Sequence, residues 1–196
     1  KGAKIYTNAN IQKVIRKRDN WEVFLNNGEV LYSKVIINAS GPYALDVLNN
    51  LIGIQSQKKI RHVQGSHIIT EKLYKGEQAY ILQLDDKRII FLIPYLDKYT
   101  LIGTTDHEVK SYDNPKITDI EKKYIIYSLN KYIKNKITED NIIWTYSGVR
   151  PLVEDLSENA SKITRDYTFE IDDKDAPILT VFGGKLTTFR KLSEHA

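Results

Sequence analysis

Gly183-Gly184-Lys185, in "ILTVFGGKLTTFRKLSEHA", stands where an apolar run gives way to a helix opened by Leu186, Thr187 and Thr188. Glycines at a strand-to-helix turn let the backbone approach a ligand closely, and a helix start offers N–H groups with partial positive charge. Such a turn suits an anion or an electron-rich ring edge, although an ordinary tight turn has the same spelling. Arg150 in "YSGVRPL" follows a strand and precedes Pro151, which fixes the chain exit and pins the arginine at the strand's end. Arg165 in "ITRDY" falls inside a strand beside Asp166. Surface exposure is the commoner fate of arginine. The alternative is a pair of fork-shaped donors converging on phosphate or carboxylate. His67 in "QGSHII" has apolar residues on one side and Gly65-Ser66 on the other. It reads either as a half-buried structural histidine or as a proton acceptor in a cleft, since imidazole titrates near neutral pH. His62, His107 and His195 read as structural.

The elements that must position these groups follow from local spelling. "AKIYTNANIQKVIRK" and "NWEVFLNNGEVLYS" read as strands, with Asn26-Asn27-Gly28 as a hairpin turn. "KVIINA" has contiguous apolar residues, as in a strand covered on both faces. A short helix follows Ser40-Gly41-Pro42, with Ala44, Leu48 and Leu51 on one face and Gly53 as its stop. "HVQGSHIIT", "QAYILQL", "RIIFLIPY" and "YTLIGTT" are closely spaced β-rich runs that predict an antiparallel sheet. One long helix interrupts it: Thr118 and Glu121 form a capping box, and Ile125, Leu129, Tyr132 and Ile133 make a stripe to about Lys136. "IIWTYSGV", "ITRDYTFEI" and "ILTVFGG" return to strand. The expected class is α+β: an antiparallel sheet with one long helix, flanked by parts of a parallel layer. Residues 1–55 and 176–196 belong to that layer and 56–175 to the inserted sheet.

Composition narrows the function classes. The 196 residues can bury a real core, and 41% hydrophobic with 28% charged residues is ordinary for a globular protein. The absence of cysteine excludes disulfides, thiol chemistry and cysteine metal sites, and the four histidines lack metal-ligand spacing, so no metal is expected. The net charge of +4 comes from lysines that alternate with acids and form no aromatic-laced stripe, so nucleic acid is not an expected partner. No apolar stretch approaches the roughly 18 residues of a membrane span. There is no signal-peptide core, and no methionine even at position 1; the chain reads as an internal piece of a longer protein.

"VQGSHII", "AYILQLDDKRIIFLIPY", "TLIGTTD", "WTYSGVRPL", "TRDY" and "VFGGKLTTFRKLSEHA" together resemble the FAD-dependent, quinone-linked glycerol-3-phosphate dehydrogenases of the glycine-oxidase-like flavoproteins. The resemblance covers nearly the whole chain. It implies a Rossmann-type FAD domain (1–55 and 176–196) interrupted by a substrate domain (56–175), with the family's G-x-G-x-x-G fingerprint and C-terminal domain absent from this sequence. "NASGPYA" is similar to the segment where the FAD domain's central sheet resumes. The resemblance implies FAD contacts at Ile11, Ala39, Ser40, Gly41, Gly183, Gly184, Lys185, Leu186, Thr187 and Thr188. Backbone N–H groups at Gly184, Lys185 and Leu186 would stabilise negative charge on the reduced flavin. It further implies that Arg150, Arg165 and Lys185 bind the substrate phosphate, and that His67 and Arg150 serve catalysis. Asp106 in "GTTD" is the alternative base, with turn capping as its competing role.

The implied activity is oxidation of glycerol 3-phosphate to dihydroxyacetone phosphate, with electrons passing through FAD to a quinone. A glycerophosphate oxidase that uses oxygen is the alternative. The implied location is peripheral, at the cytoplasmic face of the cell membrane. The isolated polypeptide is expected to be a folded, inactive fragment that binds FAD weakly, because the main pyrophosphate site lies in the absent fingerprint.

Overall fold

Asn26-Asn27-Gly28 turns the chain as its spelling predicts, with Gly28 in the left-handed region at φ 86° that a side chain would strain. The computed structural model describes residues 2–153 and 166–196. They form two compact units, one of residues 2–60, 151–153 and 166–196, the other of residues 61–150.

In the first unit, β1 (Ile11–Arg16), β2 (Trp21–Leu25) and β3 (Val30–Ser33) make an antiparallel sheet in the order β1-β2-β3. Residues 3–10, expected to extend the first strand, lie outside regular structure. Alternation along β2 buries Trp21, Val23 and Leu25 on one face. Those residues join Ala44, Leu48, Ala176, Ile178 and Phe182 in a single core. β4 (Ile36–Asn38) leads into a helical stretch made of a 3-10 turn (Gly41–Tyr43), α1 (Ala44–Asp46) and a π turn (Val47–Ile52). Gly53 stops it at φ 86° and donates its N–H to the Leu48 carbonyl, a left-handed C-terminal cap.

In the second unit the predicted antiparallel sheet is present. β5 (Ile60–Glu71), β6 (Tyr80–Gln83), β7 (Ile89–Tyr95), β8 (Tyr99–Gly103), β9 (His107–Glu108) and β10 (Trp144–Val153) are ordered β10-β5-β8-β7-β6, with β9 also on β5. α2 (Asp119–Asn130) covers one sheet face, burying Ile125 and Leu129 against Ile68, Ile90, Leu92 and Ile102. Its Thr118–Glu121 capping box is formed. The helix ends at Asn130, not near Lys136, because the Asn130 amide bonds both backbone groups of Ile137, at 2.8 and 2.9 Å, and draws the chain back.

β11 (Tyr167–Asp172) and β12 (Ile178–Gly183) complete the first unit in the order β11-β12-β4, with β12 antiparallel to β11 and parallel to β4. The parallel pairing of "KVIINA" with "ILTVFGG" is therefore real. However, β4 is an edge strand of three residues, and Ile37 is 59% exposed, so the expected cover on both faces is missing among the described residues. β11, expected with the inserted sheet, pairs instead with β12, and the return to the first unit comes at Pro151. Arg16 holds this layer to the hairpin: Nε donates to the Ala176 carbonyl at 2.9 Å, and Nη2 pairs with the Asp172 carboxylate at 2.7 Å. Trp21 Nε1 adds a bond to the Pro177 carbonyl at 3.0 Å. A 3-10 turn (Leu186–Thr188) and α3 (Phe189–His195) follow β12, with His195 packed on Tyr167 and Phe169 of β11.

Candidate active site

Alternation along β5 turns Ile68 toward α2 and His67 toward the opposite sheet face. His67 pairs with Gly103 of β8, and its ring crosses the space a side chain would fill: a Cβ on Gly103 would lie 2.4 Å from the imidazole. Tyr146 of β10 stacks on His67 in near-parallel planes (8°) with ring centroids 4.8 Å apart. Arg150, also on β10, lays its guanidinium against Gly65 in the same way, 2.2 Å from where that Cβ would stand. Two glycines thus make room for two of the expected site side chains, and the sheet brings His67 and Arg150 together.

Arg150 is held by the segment after β8. Its Nη1 donates to Asp106 Oδ1 at 2.8 Å and to the Thr105 carbonyl at 3.3 Å, and its Nη2 donates to Thr104 Oγ1 at 3.0 Å. Asp106 is thus an ion-pair partner of Arg150. Arg150 does not end its strand either: β10 runs on through Pro151 to Val153. A proline fits there because β10 is an edge strand among the described residues, where an N–H need not join a ladder.

Burial, with the Arg150 charge beside it, lowers the His67 pKa to about 4. The imidazole is therefore neutral at pH 7, the form that accepts a proton. Its Nδ1 is buried without a hydrogen-bond partner among the described residues. An orphaned polar atom next to a cation, on an otherwise well-bonded sheet, is the kind of defect that proteins keep at working sites.

Behind this face lies a polar cluster whose one sign in the sequence is a helix cap. Glu121 is 5% exposed. Its Oε1 accepts from Ser66 Oγ at 2.7 Å and Thr105 Oγ1 at 2.6 Å. Its Oε2 accepts from Gln64 Nε2, Thr118 N and Thr118 Oγ1 at 3.0, 2.9 and 3.0 Å. Burial alone pushes a carboxyl pKa up; here the bonds from Thr105, Thr118 and Ser66 outweigh it and lower the pKa, so Glu121 is a carboxylate. Capping-box spelling revealed Glu121, but no local signal distinguishes a buried cap from an exposed one. Gly65 and Gly103 were visible as letters; the side chains that need their space lie on other strands.

The remaining expected residues belong to the first unit. Gly183 and Gly184 both sit at positive φ, 74° and 93°. A Cβ on Gly183 would meet the Asp166 carbonyl at 2.6 Å, so only glycine makes this turn. Lys185, Leu186 and Thr187 beyond it are exposed. The expected row of outward N–H groups is interrupted at Lys185, whose N–H points to Thr188 Oγ1 at 3.4 Å, while that hydroxyl donates to the Lys185 carbonyl. Ile11, Ala39 and Ser40 line one cavity of about 530 Å³, together with Val14, Ile36 and Val47. Gly41, at φ 60°, opens the adjoining 3-10 turn. Arg165 lies outside the described residues. The glycine cradle and the mostly apolar cavity fit a flat, polycyclic cofactor such as FAD.

Comparison with known proteins places the chain in a family. Residues 1–189 match the FAD-dependent oxidoreductase (DAO) family. The chain is 48% identical over 166 residues to the aerobic glycerol-3-phosphate dehydrogenase of Escherichia coli K12, covering 82% of this chain and 33% of that protein. It is 40% identical over 205 residues to the D-erythritol 1-phosphate dehydrogenase of Brucella abortus, covering all of this chain and 40% of that protein. The chain thus spans well under half the length of these relatives. The glycerol-3-phosphate dehydrogenase from Bacillus halodurans, solved in complex with FAD, superposes with a TM-score of 0.81 at 24% identity, over 97% of this chain and 37% of that one. The chain belongs to the FAD-dependent oxidoreductase family.

Proposed function

We propose that this chain is the central part of an enzyme that oxidises sn-glycerol 3-phosphate to dihydroxyacetone phosphate. The observation that carries the reading is the pairing of a neutral, half-buried His67 with Arg150 on one sheet face. The names of its relatives, dehydrogenases of polyol phosphates, support the substrate class. In this reading residues 61–150 supply the substrate-binding unit and the other unit the FAD-binding one.

FAD, when bound, is the two-electron acceptor for the hydrogen on the substrate's C2. This chain's residues do the rest. His67 takes the C2 hydroxyl proton on a ring nitrogen, which relieves the positive character that hydride loss builds at carbon. Arg150 draws in the phosphate, with Arg165 and Lys185 as further phosphate ligands, while burial, helped by the Arg150 charge, leaves His67 unprotonated at neutral pH. Charge-assisted bonds to phosphate are roughly twice as strong as neutral ones. Gly183 to Thr188 and the cavity at Ile11, Ala39 and Ser40, with Gly41, hold the cofactor. We place the electron acceptor as a quinone and the protein at the inner face of the cell membrane, attached peripherally. No helix among the described residues is long and apolar enough to cross a membrane.

The 40% identity to an erythritol-phosphate enzyme favours one competing substrate. Both are tested by adding each polyol phosphate to the full-length, FAD-loaded protein under anaerobic conditions. Bleaching by sn-glycerol 3-phosphate, with stoichiometric dihydroxyacetone phosphate, is expected. Bleaching by D-erythritol 1-phosphate alone, or by neither, overturns the proposal. Reoxidation by a quinone analogue faster than by oxygen separates a dehydrogenase from an oxidase.

A further inference from the structure

We propose that Glu121 is a positioning residue for this site: its buried carboxylate ties Ser66 and Thr105 into one frame and so sets where His67 and the Arg150–Asp106 pair stand. The proposal rests on the reading that His67 and Arg150 act on a polyol phosphate.

A helix cap needs only the Thr118–Glu121 exchange, which works well at a surface. Glu121 does more. Three further donors reach it from the sheet and the segment after β8: Gln64, Ser66 and Thr105. The frame is closed on itself, since Ser66 N donates to Thr105 Oγ1 at 2.9 Å and Ser66 Oγ meets Ser147 Oγ at 2.8 Å. Each tied residue is the chain neighbour of a group on the working face. Ser66 precedes His67, Thr105 precedes Asp106, and Ser147 follows Tyr146, the ring stacked on His67. The Thr105 carbonyl itself accepts from Arg150 Nη1 at 3.3 Å. Alternation puts the frame on the α2 side of the sheet and the site on the other, so the frame acts through the backbone.

Burying a carboxylate is costly unless every oxygen is well bonded. Here both oxygens are, and a network satisfied in this way rigidifies what it touches. Catalytic groups need such support, because a displacement of about 1 Å can cost about 10²-fold in rate.

The test uses the full-length, FAD-loaded protein. Thr105→Val keeps shape and removes the hydroxyl that links both Glu121 and the Ser66 N–H to the Arg150–Asp106 segment. It should lower kcat/KM for sn-glycerol 3-phosphate by about tenfold or more, mostly through KM, at unchanged FAD content. Thr105→Ser, which restores the hydroxyl, should recover most of the loss. Glu121→Gln, which keeps volume but loses acceptor capacity, should give the same split and faster amide exchange at residues 104–106. A lower melting temperature with kcat/KM per bound FAD intact overturns the proposal and leaves Glu121 a structural cap. If the wild-type protein leaves glycerol 3-phosphate untouched, the functional reading fails instead. Amide exchange then decides for Glu121 alone: unchanged exchange at 104–106 in Glu121→Gln overturns its positioning role, and faster exchange supports it.

Discussion

A histidine with pKa near 4 stays unprotonated well below neutrality, so it is available to accept a proton over a wide range of pH, though as a weaker base than a free imidazole. If His67 is the proton acceptor, the acid limb of kcat/KM in the full-length enzyme should fall near pH 4, not near 6.5. His67→Ala should lower kcat by about 10²–10⁴-fold with a smaller change in KM. The same shift has a stability consequence. The folded pKa lies below the unfolded value, so the unfolded chain binds more protons between about pH 6.5 and 4, and stability is lost as pH falls through that window. His67→Gln should flatten that loss, measured as urea midpoints from pH 7 to 4. The cradle glycines separate fold from site. Gly65→Ala presses first on the Arg150 guanidinium, so KM should rise, with a smaller drop in melting temperature than Gly103→Ala gives. Gly103→Ala meets both the His67 ring and the Ser66 carbonyl at 2.9 Å, and overpacking of that kind costs about 1–3 kcal/mol. His67 and Arg150 were legible in the sequence as chemistry-bearing letters. Their meeting was not, since it depends on Gly65 and Gly103 making room across strands.

α2 shows which structure local spelling can reach. Its start was legible because a capping box is written within four residues, Thr118 to Glu121. Its end was not, because Asn130 stops it by bonding a residue seven positions on. Likewise Asn26-Asn27-Gly28 announced its hairpin, whereas Pro151 looked like a strand terminus and proved tolerable on the edge strand β10. β11 was assigned to the wrong neighbour for a similar reason: pairing is a long-range property. Thr118→Ala should cost about 1 kcal/mol of stability, as loss of an N-cap does. Leu129→Ala, in the α2 core, should cost about 2–5 kcal/mol. Chemical denaturation of the chain measures both. A smaller loss for Leu129 than for Thr118 would mean that α2 is not packed as described.

Among the described residues the first unit's small sheet has two edges, β4 and β11, and exposed apolar residues Ile37 and Ile171 stand on those strands. Exposed strand edges template pairing with other chains. The isolated 196-residue polypeptide should therefore self-associate in a concentration-dependent way, and Ile37→Lys should reduce this by placing a charge on the edge. Sedimentation velocity reads both. The same polypeptide should take up FAD weakly or not at all, and stoichiometric yellow protein would contradict that expectation. The central claim, that Arg150 and His67 serve the oxidation of glycerol 3-phosphate, is tested most directly by stopped-flow reduction of FAD in the full-length protein. Wild type should bleach saturably with sn-glycerol 3-phosphate. Arg150→Lys, which keeps the charge but loses the planar fork, should bleach with a half-saturating concentration raised about tenfold or more at unchanged FAD content. Superimposable curves for the two proteins, or no bleaching of the wild type, would contradict the account.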